Sequence, residues 1–134
     1  MNEHDSSALR EPVVLMVDDE PGLVQLFAGL LARLSCTVLT GLSGDEAIDI
    51  LDQETPDLLI LDLAMPGVPG VDVLRHVRSI PRLNEMTVMI LTARPNLVPE
   101  VRALGIDYWV SKPVLPHDFL EIVEDVLDDV RSRR

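Results

Sequence analysis

Aromatic side chains are almost missing from this sequence: one Trp, one Tyr and two Phe among 134 residues. A core must therefore be built from aliphatic groups, and the apolar 47% is mostly Leu, Val and Ile. That mix suits a packed α/β core and argues against a disordered chain. No apolar run approaches the ~18 residues of a membrane span. The first eleven residues, Met1 to Glu11, are polar, hold no signal-peptide segment, and read as a flexible leader. With one cysteine, Cys36, no internal disulfide can form, which fits a reducing compartment. Cys36 lies in an apolar run and is expected to be a small buried hydrophobe. Basic residues are scarce too, 11 Lys and Arg against 23 Asp and Glu, for a net charge of −12. Such a surface repels nucleic acid, so direct DNA or RNA contact is not expected. Most of the carboxylates read as solvated surface. His4, His76 and His117 are scattered and expected to be solvated. A cytoplasmic domain without membrane contact is the expectation.

What is present is alternation. Val13 to Val17 is a short apolar run that stops at Asp18-Asp19, as a strand buried on both faces would. Pro21 opens a helix whose inner stripe is Leu23, Leu26, Phe27, Leu30, Leu31 and Leu34. Strands follow at 36–40, 58–61, 86–91 and 106–110, with helices at 45–54 and 71–80 between them. A turn-rich loop, Met65 to Gly70, follows the third strand. Pro116 is placed as the first residue of a last helix carrying Phe119, Leu120, Val123, Val126, Leu127 and Val130 on one stripe. Five strands alternating with helices predict one α/β domain over 12–132, a parallel sheet covered on both faces.

Asp18-Asp19, Asp62, Thr92 and Lys112 each fall at the C-terminal end of an expected strand. In an open parallel sheet those ends share one rim, where ligands bind. Three carboxylates crowded there repel unless a cation joins them, and oxygen-only donors select a hard ion such as Mg²⁺. A lysine beside them balances charge and can grip a phosphoryl group; a threonine hydroxyl can donate to one. Plainer roles remain for each. Asp18 and Asp19 could cap the helix at Pro21, Asp62 could cap a turn, Thr92 could be an ordinary strand-end hydroxyl, Lys112 a surface lysine and Trp109 plain core.

Val-Asp-Asp-Glu-Pro at 17–21, Asp-Leu-Ala-Met-Pro-Gly-Val-Pro-Gly at 62–70, Leu-Thr-Ala at 91–93 and Trp-Val-Ser-Lys-Pro at 109–113 together resemble the receiver domain of two-component response regulators. The resemblance covers almost the whole chain, with four fragments in order. It implies a flavodoxin-like sheet order 2-1-3-4-5 and a signalling phosphoacceptor that catalyses only its own phosphorylation and dephosphorylation. Asp62 would take a phosphoryl group from a sensor histidine kinase. Asp19, Asp62 and the Ala64 carbonyl would ligate Mg²⁺, with Asp18 acting through water. Ala93 and Lys112 would bind the phosphoryl group, Thr92 and Trp109 would form the switch, and Lys112-Pro113 would be cis. The implied partners are the kinase, then a phosphotransfer protein or a regulated target, with a phosphorylation-dependent homodimer also open. No effector lies within these 134 residues; if they are the whole protein, output is expected to pass through partners, and if they are a piece of it, a DNA-binding or enzymatic domain could carry the output. Replacing Lys112 is expected to leave the fold intact and weaken the switch.

The chain departs from the family between Thr92 and Gly105, about two residues short, where Pro95 and Pro99 limit any helix. A fourth helix is expected only from Pro99 to Leu104. Ala64 and Arg94 occupy positions that in the family tune phosphoryl lifetime. A flavodoxin-type cofactor binder would need a phosphate-cradling loop where Asp18-Asp19-Glu20 stands, and an aspartyl-phosphate phosphatase would need an Asp-x-Asp pair where Asp62-Leu63-Ala64 stands.

Overall fold

A computed structural model describes residues 10–133; His4 and most of the expected leader lie outside the described residues. The strands are β1 (Val13–Val17), β2 (Thr37–Gly41), β3 (Leu58–Leu61), β4 (Thr87–Thr92) and β5 (Tyr108–Ser111). The helices are α1 (Pro21–Leu31), α2 (Gly44–Gln53), α3 (Gly70–Arg78), α4 (Val98–Arg102) and α5 (Pro116–Ser132). All strand pairs are parallel and the sheet order is β2-β1-β3-β4-β5, as the resemblance implied.

The strands alternate sides, and this sorts the core into two layers. Leu15, Val17, Leu59, Leu61, Val88 and Ile90 pack with Ala47 and Leu51 of α2, Val73, Leu74 and Val77 of α3, and Val98 and Val101 of α4. Val14, Met16, Leu58, Ile60, Met89 and Leu91 meet Phe27 and Leu31 of α1 and Phe119, Val123, Val126 and Leu127 of α5. Phe27 stacks on Phe119 with ring centroids 4.2 Å apart, so the two phenylalanines of the sequence fasten α1 to α5.

Several boundaries differ from the sequence reading, each for a local reason. Leu26 is 47% exposed instead of lying on the inner stripe of α1, because Val24, Phe27 and Leu31 fill that face. The second strand starts at Thr37; Cys36 is buried as expected and its thiol donates to the Leu31 carbonyl. β5 begins only at Tyr108, after Gly105 turns at φ 91° and the Asp107 carboxylate accepts the Val88 amide at the foot of β4. The fourth helix is preceded by a 3₁₀ turn at Pro95–Leu97 and starts at Val98, one residue before Pro99. Both prolines sit at helix starts, where a missing amide costs nothing.

Three arginines bind the carbonyls left free at or just past helix C-termini. Arg131 donates to Leu34 and Ser35 beyond α1. Arg82 donates to Leu51 and Glu54 at the end of α2. Arg78 donates to Leu104 and Gly105 beyond α4. Cations complement the negative end of a helix, and a guanidinium reaches two carbonyls at once. Arg75 also pairs with Glu100 at 3.1 Å, so the short α4 is held against α3 by two arginines.

Candidate functional site

The register places the ends of the strands side by side: Val17 opposite both Gly41 and Leu61, Leu61 opposite Ile90, and Thr92 opposite Ser111. The residues that follow then share one rim. Asp18 is fully buried, Asp62 is 4% exposed and Thr92 is buried, with Asp19 half-buried beside them. Carboxylate oxygens of Asp18, Asp19 and Asp62 lie within 4.8 Å of one another. Lys112 Nζ is 2.5 Å from Asp18 Oδ2 and 3.7 Å from Asp62 Oδ2. The other oxygen of Asp18 accepts the Glu20 amide at 3.1 Å, and Asp62 Oδ1 accepts the Ala64 amide at 3.3 Å. Thr92 Oγ1 accepts the Arg94 amide at 2.9 Å, while its carbonyl accepts the Lys112 amide at 2.8 Å. Five residues chosen from sequence thus meet, and Lys112-Pro113 is cis.

Burial pushes the Asp62 carboxyl above the usual carboxylate range. Lys112 and the Ala64 amide pull it down, Asp18 and Asp19 push it up, and the upward effects win. Burial alone would lower Lys112; its hydrogen bond to Asp18 and the charges of Asp62, Asp18 and Glu20 outweigh that and raise it. The sequence contains no other lysine, a signal that composition held and the motif reading passed over. Ala93 is exposed at the mouth of the site. Trp109, opposite Ile90 on the edge strand, is 41% exposed and so is not core. The expectation of solvated histidines holds for His117, whereas His76 Nε2 lies 2.7 Å from Asp52 Oδ1, bridging α3 to α2.

The donor set fits a hard divalent cation. It is all oxygen, it carries three formal charges, and only one ammonium faces them.

Two glycines at helix starts, Gly44 and Gly70, set the position of the loop bearing Asp62. A Cβ on Gly70 would sit 2.4 Å from the Asp62 carbonyl oxygen and 2.7 Å from Leu63 Cα; one on Gly44 would sit 2.3 Å from the Val68 carbonyl oxygen. Both neighbours are backbone, so the starts of α3 and α2 grip the 62–70 loop from two sides. Gly70→Ala is expected to cost ~1–3 kcal/mol, the scale of overpacking, and to weaken Mg²⁺ binding. Gly29→Ala, where a Cβ meets nothing within 4 Å, is expected to be neutral or stabilising by up to ~1 kcal/mol. Urea unfolding of both variants with and without Mg²⁺ checks this.

A five-stranded parallel sheet in this order, with acids, a hydroxyl and a lysine on one rim, defines the receiver class of signalling domain. The family model for the response regulator receiver domain matches residues 14–124, and the chain belongs to that family. It is 36% identical over 118 residues to the phosphate regulon transcriptional regulatory protein PhoB of Rhizobium meliloti, covering 87% of this chain and 52% of that protein. It is 30% identical to the transcriptional regulatory protein BaeR of Escherichia coli, covering 92% of this chain and 51% of that protein. The chain therefore spans about half the length of these curated relatives. Among solved structures, the chemotaxis response regulator CheY4 of Vibrio cholerae superposes with a TM-score of 0.80 at 27% identity, over 87% of this chain and 98% of that one. No helix among the described residues is long and apolar enough to cross a membrane.

Proposed function

We propose that this receiver accepts a phosphoryl group on Asp62 from the phosphohistidine of a sensor kinase, in a Mg²⁺-dependent reaction, and signals to partner proteins through a conformational switch. The observation that carries the reading is the placement of one nearly buried carboxylate, Asp62, against Asp18, Asp19 and Lys112. Asp18, Asp19, Asp62 and the Ala64 carbonyl would hold the ion, whose chemistry when bound is neutralisation of the phosphoryl oxygens. Asp62 attacks phosphorus through a carboxylate oxygen. The Lys112 ammonium balances charge on the incoming group. Thr92 Oγ1 accepts from the Arg94 amide, which leaves its own proton free to donate to a phosphoryl oxygen. Ala93 leaves the approach open. The phosphorylated protein would then engage a phosphotransfer protein, a regulated target or a second copy of itself.

The test is incubation with acetyl phosphate and Mg²⁺. A mass gain of one phosphoryl group, lost with EDTA and mapped to Asp62 by borohydride reduction, supports the reading. No gain, or a label on another residue, overturns it.

Trp109 supplies a second readout. Movement of Thr92 toward a phosphoryl group opens space near β5, and an aromatic on that edge can turn to fill it. Trp109 is the only tryptophan, so its emission reports one place. Beryllofluoride with Mg²⁺ is expected to shift that emission to the blue as the exposed ring is covered, and Thr92→Ala is expected to remove the shift. An emission unchanged by beryllofluoride would remove Trp109 from the switch.

A further inference from the structure

A groove of about 620 Å³ lies between the segment after β5 and the first turns of α5. Its floor is apolar: Pro113, Val114, Leu115 and Ile122. Leu115, at 68%, is the most exposed large apolar side chain among the described residues. It is held in place, because its carbonyl accepts the Phe119 amide at 2.9 Å at the start of α5. The charged side chains lining the groove are all acids, Asp118, Glu121 and Asp125, spaced to share one face of the helix. Glu121 has only the exposed His117 at 3.0 Å, and Asp118 and Asp125 have no ion pair among the described residues. Glu124, Asp128 and Asp129 extend the exposed acids down the helix, whose first arginine is Arg131. We propose that this groove docks a basic amphipathic helix of a partner protein, its apolar stripe on the floor and its lysines or arginines against Asp118, Glu121 and Asp125.

Charge selects this occupant. Nucleic acid and anionic lipid carry the wrong sign for a groove whose charged walls are all carboxylates. A second copy meeting the same face across a two-fold axis would set these acids against themselves. A basic segment meets both the carboxylates and the steering field of a chain with net charge −12. Shape selects a helix. Asp118 to Asp125 covers about 10 Å of α5, the rise of two turns, which a partner helix matches with apolar anchors at i, i+3 or i+4, and i+7. The docking surface is apart from Asp62, and the proposal does not depend on phosphoryl uptake there.

The probe is a capped peptide of ~14 residues, long enough to form a helix, with leucines on one stripe and lysines elsewhere. Two control peptides carry glutamate for lysine or serine for leucine. Titrated into the isotopically labelled protein, the first is expected to shift the amide NMR signals of Val114, Leu115, Glu121, Ile122 and Asp125, and the controls are not. Asp118→Asn, Glu121→Gln and Asp125→Asn are each expected to weaken binding by up to about fivefold, the scale of an exposed ion pair. Leu115→Ser is expected to weaken it by about tenfold or more, the scale of a buried leucine. Leu115 stands at the N-cap of α5, where serine is a favourable cap, so that variant keeps the fold. Asp45→Asn, Asp49→Asn and Glu54→Gln together remove the same charge from the exposed surface of α2 and its end, and are expected to change binding by less than about twofold. Equal weakening by the α2 changes, binding of the glutamate peptide, or no binding at millimolar peptide overturns the assignment. So does a dimer in sedimentation that broadens the same amides without peptide, which would make a second copy the occupant. Leu115→Ser is expected to take up phosphoryl groups from acetyl phosphate as the wild type does, so that loss of docking and failure of the Asp62 reading are told apart.

Discussion

Asp62→Asn is expected to abolish phosphoryl uptake and, in the same protein, to raise the melting temperature measured without Mg²⁺. The first effect follows from losing the nucleophilic oxygen. The second follows from the charge balance of the rim. Burial and two neighbouring acids hold the Asp62 carboxyl above its ordinary range despite Lys112, so the site disfavours the ionised form more than water does. Asn keeps an oxygen for the Ala64 amide and removes the charge. A gain on the order of 1 kcal/mol, a few degrees in a domain of this size, is the expected scale. In EDTA the wild type should show the matching pH dependence. Its folded state holds the Asp62 proton more tightly than the unfolded chain does. The stability from this group is therefore full below the unfolded carboxyl value of ~3.9 and is lost as pH rises through the raised folded value. The variant should lack that decline. Mg²⁺ reverses the order: a tenfold excess over its dissociation constant stabilises the wild type by ~1.4 kcal/mol, and the variant by less. A Mg²⁺-free melt that falls in Asp62→Asn would show that attraction to Lys112 outweighs the crowding.

Lys112→Met is expected to destabilise the metal-free protein strongly. Lys112 reaches a fully buried Asp18 at 2.5 Å and is itself mostly covered. Removing the cation leaves the buried acids with none near them, and breaking a buried pair from one side costs ~3–5 kcal/mol. The expectation from sequence was a fold that tolerates loss of Lys112; the full burial of Asp18 and the direct contact with it argue for a larger cost. Urea midpoints should fall sharply in EDTA and recover in part with Mg²⁺, since a divalent ion takes over the neutralising role. An unchanged midpoint in EDTA would mean that the Lys112–Asp18 contact contributes nothing to the stability of the metal-free fold.

The strands and the rim were legible because strands buried on both faces leave short aliphatic runs, and each run stops abruptly at a polar residue: Val17 at Asp18, Leu61 at Asp62, Leu91 at Thr92; the order of the strands came only from the resemblance. The ends of the elements were less legible, because they depend on partners distant in sequence. Nothing near Ile106 announces that Asp107 will bind the Val88 amide and delay β5. Leu26 reads as core by spacing alone, and only the packing of α1 on its sheet shows which of its leucines face out. The tight seats of Gly44 and Gly70 were hidden for the same reason: a glycine that must be glycine for space looks in sequence like one placed for a turn. The Lys112–Asp18 pair spans 94 residues; the shared rim placed the two side by side, and only the fold shows that they touch directly.

The segregation of cations has a practical consequence. Arg78, Arg82 and Arg131 bind carbonyls at helix C-termini, near where the next strand begins, while the lone lysine stands where the strands finish. All other side-chain cations being guanidinium groups, the protein offers a single side-chain amine. Reductive methylation with isotopically labelled formaldehyde keeps the positive charge. Apart from the chain's amino terminus, it would place its only NMR reporter against the Asp62 carboxylate, so that metal, phosphoryl group and donor could each be followed through one resonance without mutating the site.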